Sequence, residues 1–440
     1  MQESAKSSFY LNILKSIKGK YLTYAFNILS LSILARLISP ESYGLVASIL
    51  VIYVFFKILS ESGLTPAIIN LDNLKTKDKN GLFTFTLLLG IFLSLIFNAL
   101  KSSLINFYGN DSLAVVIDFT SLSIIFFSIS SLPLAFLQRD KLFGYLAVVG
   151  ILAEIISTGI SIALFYFYDE LIALSSKLFT SAVCTFLFSL ILSKYTSFGV
   201  PALGIKLSAV RKVFNFAKYQ FMFSFVNYFS RNLDHILVGK FLGFELLAIY
   251  EKSYQLMRYP LVLLTNAISP AIQPVIREHS SNNLEVSALH NDFLRKGAMI
   301  SAAIGIILFT LAPWIVRIIL GENWIGVIPI LQIFSISIPT QLLLSSTGSF
   351  FQGMSKPKLL FYSGVFSAIT MVFAILLGIK SGNLNLLSLY VVIAITVNFF
   401  QAYYLLCRYV FKSGYTTFLK NIYPIIITCP ILLLLNLGNI

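Results

Sequence analysis

Runs of about 20 consecutive apolar residues recur along this chain from end to end, and a helix of that length crosses the hydrocarbon core of a bilayer. Inside lipid no water satisfies a backbone amide, so a spanning segment must be a helix or part of a closed barrel. These runs are continuous rather than alternating, which excludes the barrel. The expected fold class is an all-α polytopic membrane protein. Spans are expected at about Gly19 to Ile38, Tyr43 to Ile69, Gly81 to Leu104, Ser112 to Leu137, Gly144 to Tyr168, Leu171 to Leu192, Phe214 to Gly239, Phe244 to Ile268, Gly297 to Leu320, Gly326 to Phe351, Leu359 to Ile379, Leu384 to Cys407 and Phe418 to Leu437, about 13 in all. Composition excludes the soluble alternative: 57% of residues are hydrophobic, 11% are charged and the mean hydropathy is +0.86.

A net charge of +14 invites a nucleic-acid reading. The positions of the 32 Lys and Arg residues argue against it. Alternating connections place 22 of them on one side and 5 on the other, with 5 more inside spans. That bias puts the N-terminus in the cytoplasm and assigns the basic surplus to topology and to attraction for anionic lipids. Lys residues near the N-terminus precede a full-length span with no small-residue cleavage pattern, so no cleavable signal is expected. Phe9, Ile13, Leu14 and Ile17 form a short amphipathic stripe expected to lie on the membrane surface.

Two internal matches point to duplication. Ile33 to Glu41 runs against Leu237 to Glu245, with Arg36 and Lys240 at matching helix ends, and Phe136 to Lys141 runs against Phe350 to Gln352, with Lys356 and Lys358 placed beyond an insertion. The expected organisation is an N-terminal lobe over residues 1–193, a cytoplasmic linker over 194–213, a C-terminal lobe over 214–408 and an extra C-terminal span over 409–440. Six spans per lobe keep both lobes in one orientation, which implies a pseudo-two-fold along the membrane normal and a passage between the lobes.

Ionisable groups within the spans are the main functional clue. Placing Arg or Asp at the middle of a span costs about 2.5–3.5 kcal/mol each on insertion scales, so such groups face a partner or a wet cavity. Eight of eleven lie in the second, seventh and eighth spans: Lys57, Glu61, Arg231, Asp234, His235, Glu251, Lys252 and Arg258. Gln220, Ser224, Asn227, Arg231 and Asp234 share one helical stripe. That stripe either lines a substrate path or glues helices through an Arg231–Asp234 pair. Lys57 and Glu61, at i and i+4, are either a closed pair or part of a cavity face. Lys177 has no acidic neighbour in its own span and is expected to reach toward the outer interface. Pro260, Pro270, Pro274, Pro329 and Pro339, with Pro66 and Pro133 earlier in the chain, are expected to bend or end helices, Pro270 and Pro274 at a helix end.

No enzymatic chemistry is expected. Cys184, Cys407 and Cys429 lie far apart within spans, and His235, His279 and His290 have no metal-ligand spacing. No GxxxxGK[ST] loop occurs, because Gly19-Lys20 and Gly239-Lys240 are followed by Tyr and Phe.

Ile33-Leu-Ala-Arg-Leu-Ile-Ser-Pro-Glu-Ser-Tyr-Gly-Leu-Val-Ala47 resembles the helix 1 to 2 signature of Wzx-type polysaccharide flippases of the multidrug/oligosaccharidyl-lipid/polysaccharide exporter superfamily. Asn227 to Asp234, Gly239 to Gly243 and Tyr254 to Pro260 are similar to the helix 7 to 8 block of the subgroup containing colanic-acid-type transporters. Gly321 to Trp324 and the turn from Gln352 to Lys358 also match. The resemblance implies flipping of undecaprenyl-diphosphate-linked oligosaccharide units, of the O-antigen and lipopolysaccharide kind, across the bacterial inner membrane. The implied partners are that lipid-linked oligosaccharide, membrane lipids and polysaccharide polymerase machinery, with no nucleic acid. Arg231, Arg258 and Arg36 are expected to fork onto diphosphate oxygens, with Lys57 and Lys252 as point charges. Tyr254 and Asn227 are expected to meet the glycan, as are Tyr53, Tyr228 and Tyr250. Asp234, Glu61 and Glu251 either balance the cations or carry a coupling H⁺ or Na⁺; no other cofactor is expected. A cation-coupled multidrug exporter of the same superfamily would favour acidic over basic cavity residues. A polymerase would need a large outer loop.

Overall fold

The computed structural model describes residues 2–61, 76–205, 228, 232–278, 283–411, 414–436 and 438, and every regular element among them is a helix. They are α1 (Gln2–Leu37), α2 (Pro40–Glu61), α3 (Thr76–Ala99), α4 (Lys101–Tyr108), α5 (Leu113–Arg139), α6 (Phe143–Phe167), α7 (Glu170–Leu192), α8 (232–241), α9 (Phe244–Glu278), α10 (Asn283–Ile319), α11 (Val327–Ile336), α12 (Ile338–Gly353), α13 (Pro357–Ser381), α14 (Leu384–Leu405), α15 (Tyr415–Asn421) and α16 (Tyr423–Asn436). A π-helical turn, Leu406–Phe411, extends α14.

Eight described helices are long and apolar enough to cross a bilayer: α2, α3, α5, α6, α7, α10, α13 and α14. The bent pairs α11–α12 (52°) and α15–α16 (61°) raise the number to ten, and each of the ten falls on an expected span. Of the other three expected spans, Gly19 to Ile38 falls on α1, and Phe244 to Ile268 falls on α9, which carries Glu245, Glu251, Lys252 and Arg258. Phe214 to Gly239 is described only at Tyr228 and from Asn232 onward. The side chains of Phe9, Ile13, Leu14 and Ile17, and all of Pro66, lie outside the described residues. Pro260, Pro270 and Pro274 do not end a helix: α9 runs unbroken from Phe244 to Glu278. Pro339 does mark a break. It occupies the first turn of α12 and has no backbone N–H to give Ser335, the residue four before it, and the chain bends there.

The chain packs as two compact units, Met1–Asn232 and Leu233–Ile440. In the first, α5 is central, with α2, α3 and α7 packed on it, α6 on α7 and α1 on α6. In the second, α11–α12 takes the central place, with α9, α10 and α14 packed on it and α13 on α14. Each unit therefore repeats one neighbour scheme, in which the second, third and sixth spans surround the fourth. Small residues permit it. A Cβ on Gly90 of α3 would lie 2.8 Å from Ser128 Cβ of α5, and Ser128 Oγ donates across the same crossing to Thr86 O at 2.7 Å.

The duplication extends to individual hydrogen bonds. Ile38 N donates to Leu34 O (2.9 Å) and Leu242 N to Val238 O (2.8 Å), 204 positions later. Downstream the spacing is 214. Asp140 N donates to Phe136 O and Met354 N to Phe350 O, and Lys141 and Ser355 are the described non-glycine residues with positive φ, 58° and 54°. Asp169 caps α7 through Ile172 N (2.7 Å), and Asn383 caps α14 through Leu386 N (3.3 Å). The turn after Phe136 therefore aligns with that after Phe350 residue for residue, and the insertion expected there is absent. Lys141 is matched by Ser355, because turn geometry is copied here while side-chain identity is not.

Candidate functional site

In the first unit, α2 carries Tyr53, Lys57 and Glu61. Lys57 and Glu61 share a face but form no ion pair. The Lys57 ammonium instead lies 3.9 Å from the centroid of the Phe127 ring on α5, and Glu61 senses it only at longer range. Tyr53 is buried, 6.2 Å from the Phe127 centroid, and holds that ring from the side. The Tyr228 hydroxyl donates to Val51 O, one turn before Phe55, whose ring it also faces at 6.4 Å. Arg36 sits exposed in the last turn of α1. Just beyond it, Glu170 accepts from Ser39 N and from the hydroxyls of Ser39 and Ser42, fixing the entry into α2.

Lys177 does not reach outward. Its Nζ lies 2.7 Å from Glu154 Oε1 on α6 and 2.7 Å from Ser30 Oγ on α1, and Ser30 is hydrogen-bonded to Thr158 at 2.6 Å. The physical reason is that a carboxylate on the neighbouring helix lies within ion-pair distance, and a largely buried ammonium takes the nearest compensating charge.

In the second unit, Asp234 is buried on α8 and fully engaged. His235 Nδ1 lies 2.9 Å from Oδ1, His235 N donates to the same oxygen, and the Tyr250 hydroxyl donates to Oδ2 at 2.8 Å. One turn along α9, Tyr254 packs edge-on against His235 (6.1 Å) and Phe334 (5.3 Å). Lys252 is buried and neutralised by Glu251 at 2.9 Å, with Gln255 Oε1 at 3.3 Å. Arg258 is exposed, its guanidinium carbon 5.8 Å from the Tyr254 ring centroid. Arg231 and Asn227 lie outside the described residues.

The cations at membrane depth thus fall into two kinds. Lys177 and Lys252 are paired with Glu154 and Glu251. Lys57 and Arg258 stand against aromatic rings and, among the described residues, form no ion pair. Phe127 is absent from the sequence reading because one Phe among 40 in an apolar chain carries no signal of its own.

A family model described as polysaccharide biosynthesis protein matches residues 33–329. Teichuronic acid biosynthesis protein TuaB of Bacillus subtilis (strain 168) is 24% identical over 383 residues, covering 85% of this chain and 77% of its own length. Lipopolysaccharide biosynthesis protein WzxC of Escherichia coli (strain K12) is 21% identical over 407 residues, covering 92% and 82%. Among solved structures, the lipid II flippase MurJ in an inward closed conformation superimposes with a TM-score of 0.73 at 13% identity, covering 95% of this chain and 92% of its own. An inward-facing multidrug resistance MATE family transporter of the MOP superfamily gives 0.66 at 14% identity, covering 87% and 92%. These structures share the fold of this chain, as the helix 1 to 2 and helix 7 to 8 motifs led one to expect.

Proposed function

The chain belongs to the polysaccharide biosynthesis protein family, and on that premise we propose that it flips undecaprenyl-diphosphate-linked oligosaccharide repeat units across the bacterial inner membrane. Alternating access carries the unit from the cytoplasmic to the outer leaflet, through a cationic central cavity between the lobes. The observation that supports this reading is the pair of cations, Lys57 and Arg258, held by rings rather than carboxylates. A diphosphate needs positive charge that is not already spent, and a cation–π contact supplies a resting place without cancelling the charge. Arg231 and Arg36 complete the anion contacts in this reading, Tyr254 and Asn227 meet sugar, and Lys252 takes part as the cation already balanced by Glu251. Asp234 holds the α8–α9 framework through Tyr250 and His235. Glu61 and Glu251 balance charge or carry a coupling H⁺ or Na⁺. Polysaccharide polymerase machinery takes up the flipped unit.

The test is complementation in a strain lacking the corresponding flippase. Arg231→Ala, Lys57→Ala and Arg258→Ala are each expected to cut surface polysaccharide at least about tenfold, the equivalent of roughly 1.4 kcal/mol, while membrane insertion persists. Normal polymer from Arg231→Ala would remove Arg231 from the site. A second reading, a cation-coupled multidrug exporter or another lipid-linked precursor flippase, draws on the fold shared with the MATE transporter and MurJ. Export of organic cations by the same membranes, with no effect of Lys57→Ala, would favour the exporter.

A further inference from the structure

We propose that Phe127 is a positioning residue that keeps the Lys57 ammonium away from Glu61 and available to the anionic head group, an inference that rests on the function proposed above. On α2, Lys57 and Glu61 stand at i and i+4, the spacing at which helical Lys and Glu side chains ordinarily meet. They do not meet here. The ammonium is drawn aside to Phe127 on α5, 3.9 Å from the ring centroid and well inside the range of a cation–π contact. The ring is held from the side by Tyr53, whose own ring is tilted by 57° at 6.2 Å.

The consequence is electrostatic. Lys57 paired to Glu61 would present no net charge to an arriving diphosphate, whereas over a ring face it keeps its charge and still has N–H groups to offer. A cation–π contact is strong enough to set the resting position and, being neutral, does not compete as an anion. The second unit supports the argument independently. Glu251, seven residues before Arg258, engages Lys252, and the Arg258 guanidinium stands over Tyr254, itself braced by Phe334 at 5.3 Å and 88°. By contrast Lys177, whose partner Glu154 lies at 2.7 Å, is a cation committed to structure.

The experiment measures binding of undecaprenyl diphosphate to the full-length protein in nanodiscs of zwitterionic lipid. Phe127→Leu and 3,4,5-trifluorophenylalanine at position 127 remove the negative ring face, the second with little change of shape. Each is expected to weaken binding by about threefold to tenfold, and Phe127→Trp to restore it. Adding Glu61→Gln to Phe127→Leu is expected to recover most of the loss, because the ammonium then has no rival anion. A purely structural role for the ring predicts no such recovery. Parent-like binding by the trifluorophenylalanine protein, or a Phe127→Leu defect that Glu61→Gln leaves unrepaired, overturns the inference. Lys57→Ala separates the two levels. If it binds like the parent, the anion-site reading falls and takes this inference with it; if it binds poorly while the ring variants bind normally, the inference alone falls.

Discussion

At the scale of single residues, what a charged side chain does in this protein depends on the helix beside it. Lys177 and Lys57 are each a lysine within an apolar span, and only Lys57 has an acidic residue one turn away. The first is tied to Glu154, 23 positions away on α6, and to Ser30 on α1. The second rests on Phe127, 70 positions away on α5. Removing one member of a largely buried ion pair strands the other in a poor dielectric. Lys177→Met is therefore expected to destabilise the first unit by about 3 kcal/mol. The drop should appear in thermal unfolding in detergent, and Lys177→Met with Glu154→Gln should recover much of it. A single mutant that melts with the parent would mean that the pair is solvated and structurally idle.

Helices meet here through small residues, and the tolerance of each glycine follows from what faces it. A Cβ on Gly378 of α13 would lie 2.6 Å from Leu387 Cα of α14, a backbone atom that cannot yield. Gly364, on the same helix, has nothing within 4 Å of that position. Gly378→Ala is expected to push α13 from α14 and cost about 1–3 kcal/mol. Gly364→Ala is expected to be neutral or to stabilise by up to about 1 kcal/mol, through helix propensity alone. Comparing the two melting curves checks the crossing directly, and equal effects would contradict it. Span locations were readable beforehand because a 20-residue apolar run leaves a chain in lipid no other choice. The break between α11 and α12 was foreshadowed by Pro339. The unbroken course of α9 through three prolines was not, because a proline removes one donor and its neighbours decide whether the helix continues.

For the whole molecule, the repeated turn geometry makes a topological prediction. Lys141 and Ser355, 214 positions apart, share a positive φ and one hydrogen-bond scheme at the same junction of their units. An even number of spans per lobe places equivalent junctions on one side of the membrane. Cysteines introduced at Lys141 and Ser355 are expected to react with an impermeant maleimide only in inside-out vesicles. Cysteines at Asp169 and Asn383, the equivalent caps of α7 and α14, should react only in right-side-out vesicles. Opposite labelling of Lys141→Cys and Ser355→Cys would refute the parallel duplication. The two ring-held cations do not follow the repeat: Lys57, at the 204-residue spacing, corresponds to Leu261, and Arg258 to Val54. The duplication thus supplies the scaffold, and each unit has placed its own cation on it.

The sequence by itself determined that this chain is a helical membrane protein built on an internal repeat, because apolar length and period are local properties that lipid enforces without help from distant residues. The helix 1 to 2 motif likewise carried the family. Only the tertiary structure decided which cations are spent and which remain available. Cations find their partners across helix interfaces, Lys177 the neutralising carboxylate of Glu154 and Lys57 the uncharged ring of Phe127, and packing alone brings those residues within a few ångströms of each other.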